Sequence, residues 1–366
     1  MPSFLTKLRG GSISRRLAMT SMAGFMVLGA VLLFQPGCGG SGGGSAKELV
    51  AGGSTLVDPV MREWARIYDK EKGVKVDYKG GGSGKGIEQM TEGTYAFGCT
   101  DAPMNEKELE AAKKKNGAVI HIPLVIGSIA PAYNLKEIKE PIKFTGPVLA
   151  DIYLGKITKW NDKALTELNK GLNLPDKTIK VVRRSEPSGT TFAWTSFLGG
   201  NSEEWKTKVG PPAKEVKWPV GGGAKNTDGV ANEVMATDGA IGYIEVLYAL
   251  NKNIQFGSVR NSAGKDIKAD DLEGMTAAAD AMLKDIPDDL TFSLINAPGE
   301  KSYPICAVTW AVFYEKQPAS RKDTLVDLMR WVTHDGQKEA PPLHYAMLPK
   351  GLVDRIDKKL DLVKAE

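Results

Sequence analysis

The chain has 366 residues, of which 42% are hydrophobic and 25% charged. That composition excludes disorder throughout and leaves room for two domains or lobes. The formal charge of +4 comes from the amino terminus: Lys7, Arg9, Arg15 and Arg16 are the only charged residues among the first 37, and the rest of the chain sets 44 basic residues against 44 acidic ones. A neutral remainder excludes nucleic-acid steering by net charge. With three Cys and three His, a disulfide scaffold, a Cys-rich zinc site and a CxxCH haem site are excluded as well.

The basic stretch is followed by an apolar run, Leu17 to Phe34, and then by Gly37 and Cys38. This order reads as a secretory signal over residues 1–37, although the run also reaches the lower limit for a spanning helix. The segment resembles a bacterial lipoprotein signal, in which the cysteine becomes the lipidated first residue of the mature chain. Gln35 and Pro36 depart from the usual Leu and small residue. The Gly/Ser stretch Gly39–Ser45 is a flexible tether within 38–46. Export with lipidation of Cys38 is the expectation; export with cleavage alone and a retained membrane helix are the alternatives.

Residues 46–56 predict a short strand ending in a Gly-Ser-Thr turn. Asp58-Pro59 open a helix in which Met61, Trp64, Ala65 and Tyr68 recur at helical spacing. A strand over 75–78 runs into the turn Gly80–Gly86, with a helix around Ile87 and Met90. The next strand, 95–99, ends at Thr100-Asp101-Ala102-Pro103 before a charged helix over 106–115. Strands over 119–126 and 130–133 follow, the first interrupted by Pro123 and the two separated by Gly127-Ser128. An apolar stretch over 149–154 and a helix around 161–169 lead to a strand over 180–184 and a helix over 191–198. A glycine-rich turn over 221–229, a helix over 230–237 and a strand over 239–245 complete the middle. A charged helix around 268–274, a helix over 322–333 and short helical pieces over 351–364 close the chain. This βαβα order predicts an α/β fold with a largely parallel or mixed sheet, its ligand loops at the carboxyl ends of strands. Without a long low-complexity linker, any two lobes must be joined by crossing strands.

Three strand ends carry small polar groups. The turn Gly80–Gly86, GGGSGKG, shares glycines and a lysine with a P-loop but fails its pattern. Aligning Gly84-Lys85 puts Lys79 where the first glycine belongs, and Gly86 lacks a hydroxyl for magnesium. It reads either as a flexible turn or as a helix start whose N–H groups hold an anion. Ser188-Gly189-Thr190, after Arg184, is a second such turn, with a guanidinium fork suited to a tetrahedral oxyanion. Ser54-Thr55 is a third. Asp101 is the odd member: it repels anions unless the anion brings a proton, and it reads equally as an N-cap or Asx-turn residue. His121, His334 and His344 stand apart from other ligand-type residues and read as packing or surface positions.

Seven segments carry a specific resemblance: AGGSTLVDPV (51–60), YKGGGSGKG (78–86), FGCTDAPM (97–104), IYLGKITKWND (152–162), VVRRSEPSGTTF (181–192), KWPVGGGAKNTDGV (217–230) and GAIGYIE (239–245). In these the chain closely resembles the periplasmic phosphate-binding proteins of Pst-type ABC importers, from about Leu49 to about Pro349. The resemblance implies a two-lobed periplasmic-binding-protein fold of α/β class with the ligand cleft between lobes. Residues 47–124 with 306–366 would form lobe one and 125–305 lobe two. It implies capture of inorganic phosphate by hinge closure and delivery to transmembrane permease subunits, by a monomer in the periplasm or at the outer face of the cytoplasmic membrane, with no catalysis, cofactor, metal or nucleic acid. The implied phosphate contacts are Thr55 and Leu56 (backbone N–H), Ser83, Asp101, Arg184, Ser188, Gly189 and Thr190, with Glu186 supporting Arg184. Leu56 replaces a common aromatic, Glu186 an Asp found in some members, and Cys99 a small residue. Cys99 and Cys306 read as a disulfide or as two buried thiols. A secreted phosphatase or phosphotransferase is the alternative from another class; against it, Ser83 and Ser188 have no obvious general base. A phosphate-sensing or surface-adhesion lipoprotein without transport is the third reading.

Overall fold

A computed structural model describes residues 48–366; the signal expected over 1–37, Cys38 and the tether expected after it lie outside the described residues. Eight strands form the main path of a mixed sheet: β1 (Glu48–Gly53), β2 (Lys75–Gly80), β3 (Phe97–Thr100), β4 (Val119–Tyr133), β5 (Lys180–Arg184), β6 (Gly222–Ala224), β7 (Ala240–Glu245) and β8 (Ile305–Tyr314). Their order in space is β2-β1-β3-β8-β4-β7-β5-β6. β1 runs parallel to β2 and β3, and β5 runs parallel to β6 and β7. β8 and β4 join these two parallel sets by antiparallel pairing.

β4 is the bridge. It pairs with β8 as far as Ser128 and with β7 from Ile129 onward. Two separate strands were expected here, and the structure has one of 15 residues. Pro123 does not end it because the register against β8 shifts there: Thr309 faces Val125 and Trp310 faces Pro123, leaving Leu124 as the extra residue. A bulge is one of the few places where a strand tolerates a residue without an N–H.

Helices cover the sheet. α1 (Asp58–Lys72) starts with Pro59 in its first turn and stops at Gly73 in the left-handed region; it buries Val60, Met61, Trp64 and Tyr68. α2 (Ser83–Thr91) begins inside the glycine-rich turn. α3 (Glu106–Asn116) is closed by a capping box between Asn105 and Glu108. α4 (Gly189–Asn201) and α5 (Asn226–Ala236) start just after β5 and β6. A helix over Gly146–Tyr153 is capped by Thr145, in a segment read only as apolar from the sequence. The charged helix expected around 268–274 lies at Leu272–Met282, because the Asp271 side chain caps its first turn. Among the described residues no helix is long and apolar enough to cross a membrane.

Cys99 and Cys306 are free and buried. Cys99 faces Ala311 across the β3–β8 pairing, so Cys306 lies five residues further along β8, roughly 17 Å away at strand rise. No disulfide spans that distance.

Candidate functional site

The carboxyl ends of β1, β2 and β3 meet those of β5 and β6 at the start of α2, α4 and α5. Gly53 ends β1 with φ 128°, a conformation that favours glycine. Its carbonyl accepts the N–H groups of Gly81 and Gly82 at 3.0 and 2.8 Å. Three tyrosines fix the next turn: the hydroxyls of Tyr78, Tyr248 and Tyr345 donate to the carbonyls of Ser54, Thr55 and Leu56 at 2.7, 3.0 and 2.6 Å. The Leu56 N–H donates to Ser54 Oγ at 3.0 Å.

Asp101 is the buried carboxylate at the end of β3. Its Oδ1 accepts the hydroxyls of Ser54 and Thr309 at 2.5 and 2.6 Å, and its Oδ2 accepts Ser83 Oγ at 3.3 Å. Burial pushes its pKa above the usual carboxylate value; the Ser54 and Thr309 hydroxyls, the Arg184 charge and Ser83 oppose that rise. Ser83 Oγ also accepts the N–H groups of Asp101 and Gly189, each at 3.1 Å.

Arg184 faces Asp101 from the other side, its side chain 1% exposed. Nε donates to Glu186 Oε1 at 2.8 Å, and Nη2 donates to the same oxygen. Nη1 lies 3.3 Å from the hydroxyls of Thr190 and Thr227. Glu186 Oε1 also accepts the Asn226 N–H at the start of α5, at 3.0 Å. Tyr243 accepts the Arg184 N–H at 3.0 Å, shares a 2.7 Å hydrogen bond with Thr191 and stacks on Trp194. Ser188 caps α4 by accepting the Thr191 N–H, so the first N–H groups of that helix open toward the site.

The two sides touch. Thr55 and Thr227 hydroxyls are 2.9 Å apart, and Gly84 N–H donates to Pro187 O at 3.3 Å. A Cβ on Gly189 would stand 2.5 Å from both Asp101 Cβ and Ser83 Oγ, so only glycine allows this approach. The result is a buried shell of hydroxyl, N–H and guanidinium donors around one carboxylate, fit to hold a small tetrahedral oxyanion that carries a proton.

Residues 40–335 match the family described as the PBP superfamily domain. The phosphate-binding protein PstS of Xylella fastidiosa is 39% identical over 314 residues, covering 85% of this chain and 84% of that protein. The chain belongs to the PstS family of phosphate-binding proteins. The phosphate-binding protein PstS of Pasteurella multocida is 38% identical over 314 residues, covering 85% of this chain and 89% of that protein. Two solved structures share the fold. A high affinity periplasmic phosphate-binding protein bound with phosphate superposes with a TM-score of 0.68 at 19% identity, covering 85% of this chain and 93% of its own. The phosphate-binding protein of Stenotrophomonas maltophilia gives 0.63 at 20% identity, covering 86% and 94%. The α/β binding-protein fold expected from the sequence is thus the fold of this chain.

Within this PstS-family chain, Thr55, Leu56, Ser83, Asp101, Arg184, Ser188, Gly189, Thr190 and Glu186 come together in these linked hydrogen-bonded turns. Leu56 takes part only through its backbone, its side chain being buried against Gly127. Sequence reasoning missed Thr227, Thr309, Tyr243 and Tyr248. Thr227 lies inside a quoted motif, so its signal was present. Thr309 is 208 residues from Asp101, in a strand absent from the expected elements.

Proposed function

We propose that this chain captures inorganic phosphate outside the cytoplasmic membrane and delivers it to the permease subunits of an ABC importer. The observation that carries this is Asp101 within a shell of donors. Phosphate near neutral pH keeps a proton to give to the carboxylate, whereas a fully ionised oxyanion offers it none. Arg184 supplies the countercharge: Glu186 holds its Nε–Nη2 edge, and Nη1, which here donates to the Thr190 and Thr227 hydroxyls, turns to the anion on binding. Ser83, Ser188, Thr190 and Thr55 turn hydroxyls to the anion. The Thr190 N–H joins them, and the Leu56 and Gly189 N–H groups exchange their present acceptors, Ser54 Oγ and Ser83 Oγ, for its oxygens. Residues 47–124 with 306–366 form one lobe and 125–305 the other, closing as a hinge about the crossing strands β4 and β8. Cys38 carries the lipid that tethers a monomer to the membrane face; labelled-lipid incorporation into wild type but not Cys38→Ser is the result expected.

The test of the ligand is calorimetric titration with phosphate. Arg184→Ala removes a buried charge-assisted contact and should cost about 2–5 kcal/mol, or roughly 30- to several-thousand-fold in affinity. Arg184→Lys should recover only part, lacking the fork. An Ala variant within threefold of wild type rejects the assignment, provided circular dichroism shows an intact fold.

A further inference from the structure

Thr309 lies on β8, one residue beyond the Trp310–Thr100 pair that ends the β3–β8 ladder, so it comes opposite Asp101. On the other edge of β8 the pairing with β4 shifts register between Thr309 and Trp310, with Leu124 of β4 as the extra residue. Thr309 is fully buried, and its hydroxyl lies 2.6 Å from Asp101 Oδ1, where the Ser54 hydroxyl also arrives at 2.5 Å. Two donors fill both acceptor positions of that oxygen. Oδ2 is the oxygen that remains. It has one long contact to Ser83, at 3.3 Å, and faces the space that a Cβ on Gly189 would fill, 2.6 Å away.

We propose that Thr309, with Ser54, is a specificity-determining positioning residue: the two hydroxyls saturate Asp101 Oδ1 and so hold the carboxylate as a single, acceptor-only oxygen aimed at the ligand. This rests on the reading of the site as one for phosphate. A hydroxyl donating to a carboxylate favours its ionised form. An ionised Asp101 accepts the proton of hydrogen phosphate and repels sulfate, which has none. Take the Thr309 hydroxyl away and Asp101 takes up a proton more readily. As a carboxylic acid it becomes a donor, and sulfate then finds a partner where it met repulsion. Thr309 does not touch the anion; it decides what Asp101 can be.

Competition titration with phosphate and sulfate at one neutral pH tests this on wild type, Thr309→Val and Thr309→Ser. Thr309→Val keeps the shape and removes the hydroxyl, and should lower the phosphate-to-sulfate affinity ratio by about tenfold or more, the worth of one hydrogen bond to a charged group. Thr309→Ser keeps the donor and should stay within about threefold of wild type. If Thr309→Val does not fold, Ser54→Ala, which removes the other donor on the same oxygen, should move the ratio the same way. An unchanged ratio in the Val variant, or an equal loss in the Ser variant, overturns the inference and makes Thr309 a packing residue. Wild type that binds no phosphate overturns the underlying functional reading instead.

Discussion

Lys214 and Glu108 form an ion pair between the two sides of the site: Lys214 Nζ lies 2.7 Å from Glu108 Oε2 and 3.0 Å from Oε1. Glu108 is fixed by the capping box of α3, and the Lys214 carbonyl accepts the N–H of Ser188, the cap of α4, at 2.9 Å. The pair therefore ties the first helix beyond Asp101 to the loop that holds the Ser-Gly-Thr turn. Lys214→Met should lower phosphate affinity by about fivefold, mostly through faster release, since partly exposed pairs contribute about 1 kcal/mol and act on dissociation. The exchange Lys214→Glu with Glu108→Lys should restore part of the loss. Stopped-flow release rates measure this; equal rates in wild type and Lys214→Met would mean that the pair is incidental to closure.

Gly189 packs its backbone directly against the other side of the site. An added methyl meets Asp101 and Ser83 at 2.5 Å, and the two sides must separate to admit it. Gly189→Ala should weaken phosphate by about 5- to 150-fold, the range that overpacking costs imply, with little change in the thermal midpoint of the free protein. A variant that binds as wild type does would mean that the cleft is wider in solution than this geometry requires.

His121 is buried on β4, and its Nε2 accepts the Met104 N–H at 3.1 Å. Burial lowers its pKa to about 4. The folded state thus resists a proton that the unfolded state accepts below the usual value near 6.5. Stability from this group is complete above about pH 6.5 and falls as pH drops toward 4, by up to about 3 kcal/mol. His121→Gln should flatten the urea-midpoint profile over that window relative to wild type. A variant with the wild-type slope would assign the acid sensitivity to other groups.

How much of this was legible in the sequence depends on how far apart the partners lie along it. The three anion turns are contiguous segments, so Ser54-Thr55, Ser83 and Ser188–Thr190 could be picked out locally, as could α1 through its spacing, whereas Asp101 read equally as a cap residue until the resemblance placed it. β8 was not picked out, because it is buried along its whole length and lacks the alternation that marks a half-exposed strand. With it went Thr309 and the second donor on Asp101. β4 was cut in two because proline and Gly-Ser read as breaks, whereas a bulge at Leu124 accommodates Pro123 and Gly127-Ser128 simply continue the pairing with Ala307 and Cys306. Lys214 carries no local pattern at all; only the fold brings it to Glu108.

The account stands on Asp101 as an acceptor that distinguishes a protonated oxyanion from a bare one. The most direct measurement is calorimetric titration of wild type and Asp101→Asn with phosphate and with sulfate at pH 7–8. Wild type should bind phosphate tightly and sulfate at least about 10⁴-fold more weakly, the discrimination available to a site built around a substrate proton. In Asp101→Asn, whose amide can donate, that ratio should collapse, with sulfate gaining more than phosphate loses. Wild type that binds both anions alike, or a mutant that keeps the wild-type ratio, would contradict the central claim.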